Sequence, residues 1–152
     1  MNRNLLFLFF FLAVINAMPH QFNKRTTDFK KCPSIPGNPV KVTPLTVTVV
    51  PDPIVSNKNA TYTISGTAKV DIPTDVKHAI VYNKIGGFGP VIGLPFFADF
   101  CKGSNPCPVK KGDTFNRTYT AEAPTLPTVY AVTITVNTPE VVYACALATV
   151  GL

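Results

Sequence analysis

Few residues in this 152-residue chain could do covalent chemistry, and the four cysteines are the most informative. They are Cys32, Cys101, Cys107 and Cys145. A zinc site would need closely spaced ligands and more cysteine or histidine than the chain offers, so we predict no metal. In an exported chain four cysteines indicate two disulfides, and three connectivities are open. The spacing favours a short loop closed by Cys101 and Cys107, with Cys32 joined to Cys145.

Catalytic side chains are not evident in the sequence. There is no Gly-x-Ser-x-Gly elbow, and His78 is the only histidine beyond residue 25. His78 falls in a strand-like run, where histidine is most often structural, although titration near pH 6.5 would also suit ligand release in an acidic compartment. The eight acidic residues stand singly in turn-like or polar settings. We therefore predict a protein that is not an enzyme and uses no cofactor.

The first residues have the pattern of a targeting segment. Residues 1–17 combine a short charged start, an unbroken apolar run from Leu5 to Ile15 and the small residue Ala17, which predicts a secretory signal peptide. The run is shorter than the roughly 20 residues of a spanning helix. Residues 18–27 form a polar segment, in which a Lys-Arg pair either ends a propeptide at Arg25 or belongs to a polar tail. We expect a secreted protein, or one in the lumen of an endomembrane compartment such as the vacuole.

The charge of the chain argues against a nucleic-acid partner. Beyond residue 25 the formal net charge is +3, because three of the 14 basic residues precede that point and all eight acids follow it. The lysines are scattered and form no basic stripe interleaved with aromatic residues. A weak attraction to anionic membrane surfaces remains compatible with this charge.

Two N-x-[ST] sequons suit an exported chain. They are Asn59-Ala-Thr61 and Asn116-Arg-Thr118. Because a glycan needs solvent around it, we expect Asn59 and Asn116 at the surface as glycosylation sites.

Composition and spacing predict an all-β fold. Fifteen prolines leave no long stretch for a helix, and Val, Ile, Thr, Tyr and Phe dominate between them. With a first strand near Cys32, this gives about seven strands, typical of a sandwich. Gly66 is expected to mark a bulge. The other strand-like runs are residues 45–50, 61–70, 76–85, 114–121, 129–136 and 141–148.

The unusual segment is residues 86–101, which carries four phenylalanines and three aliphatic residues among glycines and prolines. An apolar loop of this kind needs cover from the core, from a membrane or from a bound apolar ligand. In the first case the phenylalanines simply close one end of the sandwich. If the segment is extended, Phe96 and Phe97 face opposite sides, because successive side chains of a strand alternate.

Short motifs around the cysteines carry a family resemblance. Leu94-Pro-Phe96 precedes Cys101, Cys107-Pro-Val-Lys-Lys-Gly-Asp-Thr114 leads into Phe115 and Tyr119, and Cys145-Ala-Leu-Ala-Thr-Val150 ends the chain. Together they resemble the MD-2-related lipid-recognition (ML) family. Within it they are most similar to the fungal phosphatidylglycerol/phosphatidylinositol transfer proteins and the Niemann-Pick type C2 sterol carriers. The similarity covers residues 28–152, which we therefore assign to one ML lipid-binding domain.

The resemblance implies an immunoglobulin-like β-sandwich with an apolar cavity for one lipid between its sheets, and it implies the two disulfides that the spacing favours. It also implies a cavity mouth at Phe96, with Val91, Ile92 and Leu94 as neighbouring apolar surface and Leu126 from a second segment. The sterol carriers have an additional early disulfide, and a bulky aromatic residue where this chain has Leu126. Phospholipid and sterol therefore both stay open as ligands.

These features together predict a monomeric lipid-binding and transfer protein that carries a phospholipid (phosphatidylglycerol or phosphatidylinositol) or a sterol and contacts membranes transiently. Exposing a lipid chain of sixteen carbons to water costs on the order of 12 kcal/mol, at about 0.8 kcal/mol per methylene, so a carrier must replace the apolar environment of the bilayer. Lys84, Lys102 and Lys110 are candidates to meet a head group. The alternative is a secreted β-sandwich module that recognises a protein or cell-surface partner without an internal lipid.

Overall fold

The computed structural model describes residues 26–84, 89–102 and 106–151. Over these residues the chain forms nine β-strands: β1 (Phe29–Lys31), β2 (Thr43–Pro44), β3 (Thr46–Val50), β4 (Asn59–Thr67), β5 (Lys77–Asn83), β6 (Phe96–Asp99), β7 (Thr114–Glu122), β8 (Tyr130–Asn137) and β9 (Val142–Val150). The predicted signal peptide, residues 1–17, lies outside the described residues. Within the described part of the chain, no helix has the length and apolar character that crossing a membrane requires.

The strands form two sheets that pack face to face. The larger sheet has the order β1-β9-β8-β5-β6, with β2 added alongside β9, and the smaller sheet has the order β3-β4-β7. All strand pairs are antiparallel except the short parallel pair of β2 with β9. The predicted all-β sandwich is confirmed. The two short strands β2 and β6 were not predicted as strands, because each lies in a proline-rich stretch with too few residues to show alternation.

Alternation of residue types explains which face of each strand is buried. In β4, Tyr62 and Ile64 are fully buried, whereas Thr61 and Thr63 lie on the outer face. The Thr63 hydroxyl is 3.3 Å from that of Thr118 on the neighbouring strand β7. The smaller sheet therefore presents hydroxyl groups to solvent and apolar groups to the larger sheet, as the period of two requires.

The core lies between the two sheets, and two disulfides link segments of the chain around it. Cys32 pairs with Cys145 and thereby joins the segment after β1 to the middle of β9. Cys101 pairs with Cys107 and closes the short connection that follows β6. These are the two pairs that the spacing favours.

Gly66 does not mark a bulge, contrary to the sequence prediction. The β4–β7 pairing runs in register through Gly66, which lies opposite Phe115. A Cβ at this position would come within 3.0 Å of the Phe115 ring, so glycine makes room for that ring. The register shift of the sandwich occurs instead between Val136 and Asn137, where β8 turns toward β9.

Candidate ligand-binding site

The two segments predicted to form a mouth meet at one end of the sandwich. The loop between β5 and β6 is tied back to β5 by hydrogen bonds from the Ile92 amide to the Tyr82 carbonyl (2.8 Å) and from the Lys84 amide to the Pro90 carbonyl (2.9 Å). Gly93, at a φ of 67°, approaches Pro124 so closely that a Cβ there would lie 2.7 Å from the proline Cβ. We call this contact between residues 89–95 and residues 123–126 the rim.

The five predicted mouth residues divide into two groups at the rim. Leu94 is 91% exposed and Val91 is 49% exposed, so both present apolar side chains to solvent. Ile92, Phe96 and Leu126 are half-buried and pack against the hydrophobic core. The rim therefore continues from an exposed apolar tip into the interior.

The register of β6 settles the orientation of the two adjacent phenylalanines. Phe96 lies opposite Ile80, a fully buried core residue, and so points between the sheets. Phe97 lies opposite Ala79 on the outer face and is 60% exposed. Phe96 thus links the rim with the interior, whereas Phe97 faces away from it.

Tyrosines span the interior between the sheets. The hydroxyls of Tyr62 on β4 and Tyr82 on β5 share a hydrogen bond, although these strands belong to opposite sheets. Tyr130 on β8 lies next to Tyr82, with ring centroids 6.3 Å apart. Burial raises the pKa of Tyr62 far above its usual range, and the neighbouring Tyr82 adds to that shift. Both phenols are therefore neutral hydrogen-bonding groups within an apolar interior.

His78 and Tyr119 form a second contact between the sheets. Their rings are stacked, with centroids 4.0 Å apart and an interplanar angle of 14°. His78 is completely buried, and neither ring nitrogen makes a well-formed hydrogen bond with the described residues, although the Thr135 backbone lies close enough to interact with the imidazole. Burial lowers the pKa of His78 to about 4, slightly opposed by the backbone of Thr135. Burial also raises the pKa of Tyr119 to about 12. Both side chains are consequently uncharged near neutral pH.

Arg117 holds the connection after β6 against β7. Its guanidinium lies over the Phe100 ring, 4.9 Å from the ring centroid. It donates hydrogen bonds to the carbonyls of Phe100 (3.2 Å), Pro106 (3.3 Å) and Asn116 (3.1 Å). Burial lowers the pKa of Arg117, but the guanidinium remains charged because arginine is not deprotonated in proteins. Arg117 therefore fixes the loop carrying the short disulfide.

Unlike the buried Arg117, the charged side chains that form ion pairs lie at the surface. Lys110 pairs with Asp71 at 3.1 Å, and Lys77 pairs with Asp99, both at exposed positions. Of the three lysines predicted as head-group candidates, Lys84 lies next to the rim through its backbone bond to Pro90. Among the described residues no three histidine, cysteine or acidic side chains cluster as metal ligands would. This arrangement suits the binding of an apolar molecule with a few neutral polar groups.

The sequence interpretation did not identify the aromatic contacts between the sheets. Tyr62 and Tyr82 occupy inward positions of β4 and β5. Because side chains along a strand alternate between its two faces, the sequence pattern could have placed both tyrosines inside. Their contact across the interior depends on how the two sheets pack.

These features define a β-sandwich with an apolar core and an exposed apolar rim at one end. The ML domain profile matches residues 26–150 of the chain. The chain therefore belongs to the ML domain family, which is a family of lipid-binding domains. Among solved structures, a Niemann-Pick type C2 protein from the Japanese carpenter ant has the same fold. The TM-score is 0.58 at 16% identity, covering 80% of this chain and 96% of that one. No curated protein sequence gives a significant match.

Family membership bears on chemistry and location as well as on fold. ML domains are lipid binders rather than enzymes. An ML domain with two disulfides is consistent with a secreted or lumenal location, because disulfides persist in oxidising compartments.

Proposed function

We propose that this protein carries one phospholipid or sterol in its interior and transfers it between membranes. The observation that supports this most is the rim, where apolar side chains run from the fully exposed Leu94 to the inward-facing Phe96. In a lipid-binding family, such a continuous apolar path offers a lipid a route that avoids water. No catalytic step is needed, because binding replaces the apolar contacts that the lipid loses on leaving the bilayer.

The mouth in this proposal consists of Phe96, Leu94, Val91, Ile92 and Leu126. Leu94 and Val91 touch the bilayer first, since they are exposed and apolar. Burying a fully exposed leucine contributes about 1.5–3 kcal/mol, enough for a transient contact but not for stable anchoring. Ile92, Phe96 and Leu126 then line the path inward. Lys84, close to the rim, faces an anionic head group that stays outside.

Extraction of the purified protein with organic solvent, followed by mass spectrometry, tests whether a lipid is carried. We expect about one phospholipid or sterol per protein molecule. The alternative, a binding module that recognises a protein or cell-surface partner, predicts no lipid above the level of a control β-sandwich protein purified in parallel. A lipid-free protein that also takes up nothing from vesicles of phosphatidylglycerol, phosphatidylinositol and sterol would refute the carrier function.

The adjacent phenylalanines supply a matched pair of variants for transfer. Phe96→Ala is expected to slow the transfer of a fluorescent phospholipid between vesicles several-fold, because it removes the inward-facing ring from the path. Phe97→Ala removes an equal ring from the outer face, and its transfer rate should stay near that of the wild type. A collapse in thermal stability of Phe96→Ala with normal transfer by the surviving folded protein would show that Phe96 belongs to the core rather than to the mouth.

Export and modification complete the proposal. We infer that residues 1–17 are removed as a signal peptide, and that Asn59 and Asn116 carry glycans. Both asparagines are exposed on the outer face of the smaller sheet, away from the interior. Sequencing of the exported protein should begin near Met18 or Thr26, and glycosidase treatment should lower its mass. Sedimentation should show a monomer.

A further inference from the structure

The apolar interior contains a pair of polar side chains that the lipid-carrier proposal does not use. His78 on β5 is completely buried, and its ring stacks on Tyr119 of β7. Both imidazole nitrogens and the Tyr119 hydroxyl are buried without a well-formed hydrogen bond to any described residue, although the Thr135 backbone approaches the imidazole. The Tyr62 hydroxyl, by contrast, is paired with that of Tyr82.

Two stacked side chains whose buried polar atoms make no well-formed hydrogen bond are unusual for a protein interior. More than nine-tenths of buried polar groups find a partner, because an unpaired group loses its bonds to water and gains nothing in return. Phenylalanine at both positions would keep the stacked contact without that cost. The polar atoms of this pair are thus available to a bound molecule.

The position of the pair relative to the rim defines which part of a ligand it would meet. His78 lies four residues before Tyr82 along β5, and Tyr119 lies four residues before Ala123 along β7. Tyr82 and Ala123 are at the rim end, since Tyr82 bonds Ile92 and the residue after Ala123 touches Gly93. At about 3.3 Å per residue, the pair is roughly 13 Å along the strands from the rim, and it lies behind the inward-facing Phe96, whose ring centroid is 6.5 Å from that of His78.

The chemistry of the pair defines the group that it would accept. Neutral imidazole offers one N–H donor and one acceptor nitrogen, and a phenol both donates and accepts. The nearest inward-facing cation is Arg117, whose guanidinium already donates to three backbone carbonyls. A phosphate or carboxylate would therefore be buried without a free counter-charge, which is costly. A hydroxyl or carbonyl oxygen fits.

We propose that His78 and Tyr119 form an internal polar anchor that binds an uncharged oxygen, a hydroxyl or a carbonyl, on the deeply buried part of the carried lipid. This inference rests on the proposed lipid binding and narrows its ligand class. A lipid whose buried end is a plain alkyl chain leaves the anchor unpaired. One with an oxygen about 13 Å from the rim pairs it.

Matched fatty acids test the anchor directly. The affinities of ω-hydroxylated acids with 10, 12, 14 and 16 carbons are compared with those of the unsubstituted acids, using displacement of a fluorescent fatty acid. Each pair differs only at the buried end, so the ratio of dissociation constants within a pair isolates the anchor. We expect at least one chain length at which the wild type favours the hydroxylated acid. In Tyr119→Phe and His78→Phe this preference should fall about tenfold.

Tyr143→Phe is the control, because it removes a phenol on β9, which β8 separates from β5, and its ratio should equal that of the wild type. Tyr119→Phe deletes only a hydroxyl without a partner and is expected to fold like the wild type, so the test does not depend on His78→Phe. The anchor is refuted if the fatty acids bind but neither Tyr119→Phe nor His78→Phe changes the ratio of dissociation constants at any chain length. Lipid binding itself would stand in that case. If the wild type binds neither series, the anchor is also refuted, and the extraction experiment decides separately on the carrier function.

Discussion

Replacement of His78 by phenylalanine is expected to remove most of the loss of stability that the protein suffers between pH 6.5 and pH 4. In the folded protein His78 is completely buried, and its pKa is lowered to about 4 from an ordinary value of 6.5. In the unfolded chain the imidazole takes up a proton below pH 6.5. The unfolded state therefore binds more protons than the folded state over this interval, and the free energy of unfolding falls as the pH falls.

The size of the effect follows from the pKa difference. A shift of about 2.5 units at 1.36 kcal/mol per unit corresponds to about 3 kcal/mol, present in full above pH 6.5 and lost by about pH 4. For a domain of this size this lowers the melting temperature by roughly 10 °C. His78→Phe keeps an aromatic ring stacked on Tyr119 and has no proton to gain.

Urea unfolding followed by far-UV circular dichroism at pH 7, 6, 5 and 4 measures this, and it suits a chain without tryptophan. The free energy of unfolding of His78→Phe should change by about 3 kcal/mol less than that of the wild type over this range. The Lys111 amide and Lys110 lower the pKa of Asp71, and Lys77 lowers the pKa of Asp99. Both carboxylates are present in the variant and in the wild type, so their titration cancels when the two are compared. Equal pH profiles for His78→Phe and the wild type would refute the neutral, buried state of His78.

Two further substitutions probe the loops that shape the rim and the short disulfide. Gly93→Ala should destabilise the protein by about 2 kcal/mol or more in urea unfolding, because its Cβ would meet Pro124, whereas Gly112→Ala, at a similar positive φ with open space around it, should cost only about 1 kcal/mol. Equal costs would show that the rim does not pack as described. Arg117→Met should cost about 2–4 kcal/mol, because it unpairs buried carbonyls and lifts a cation from the Phe100 ring. Arg117→Lys should regain only part of the lost unfolding free energy, because an ammonium lacks the planar array of donors of a guanidinium. Full recovery would show that only the positive charge of Arg117 matters.

Much of this protein could be predicted from local sequence pattern. The alternation in residues 61–67 predicts a strand with Tyr62 and Ile64 on one face, because successive side chains point to opposite sides. That face is the apolar one, so it is expected to pack on the core. The pairing of Cys101 with Cys107 is favoured by a sequence separation of only six, which lets the short loop between them close on itself. Gly66 shows the limit of this reasoning. A glycine in a strand is equally suited to a bulge and to a close neighbour, and only the position of the Phe115 ring distinguishes the two.

The sequence by itself determined the fold class and the resemblance to lipid-recognition domains, and it favoured one of three disulfide pairings, because each of these depends on residue type and position along the chain. Only the tertiary structure decided that Gly93 touches Pro124, which joins two segments 31 positions apart into one rim. It also decided that His78 stacks on Tyr119, since β5 and β7 belong to opposite sheets and their facing residues depend on how those sheets pack. Contacts of this kind arise from the relative placement of two surfaces, and no local pattern encodes that placement.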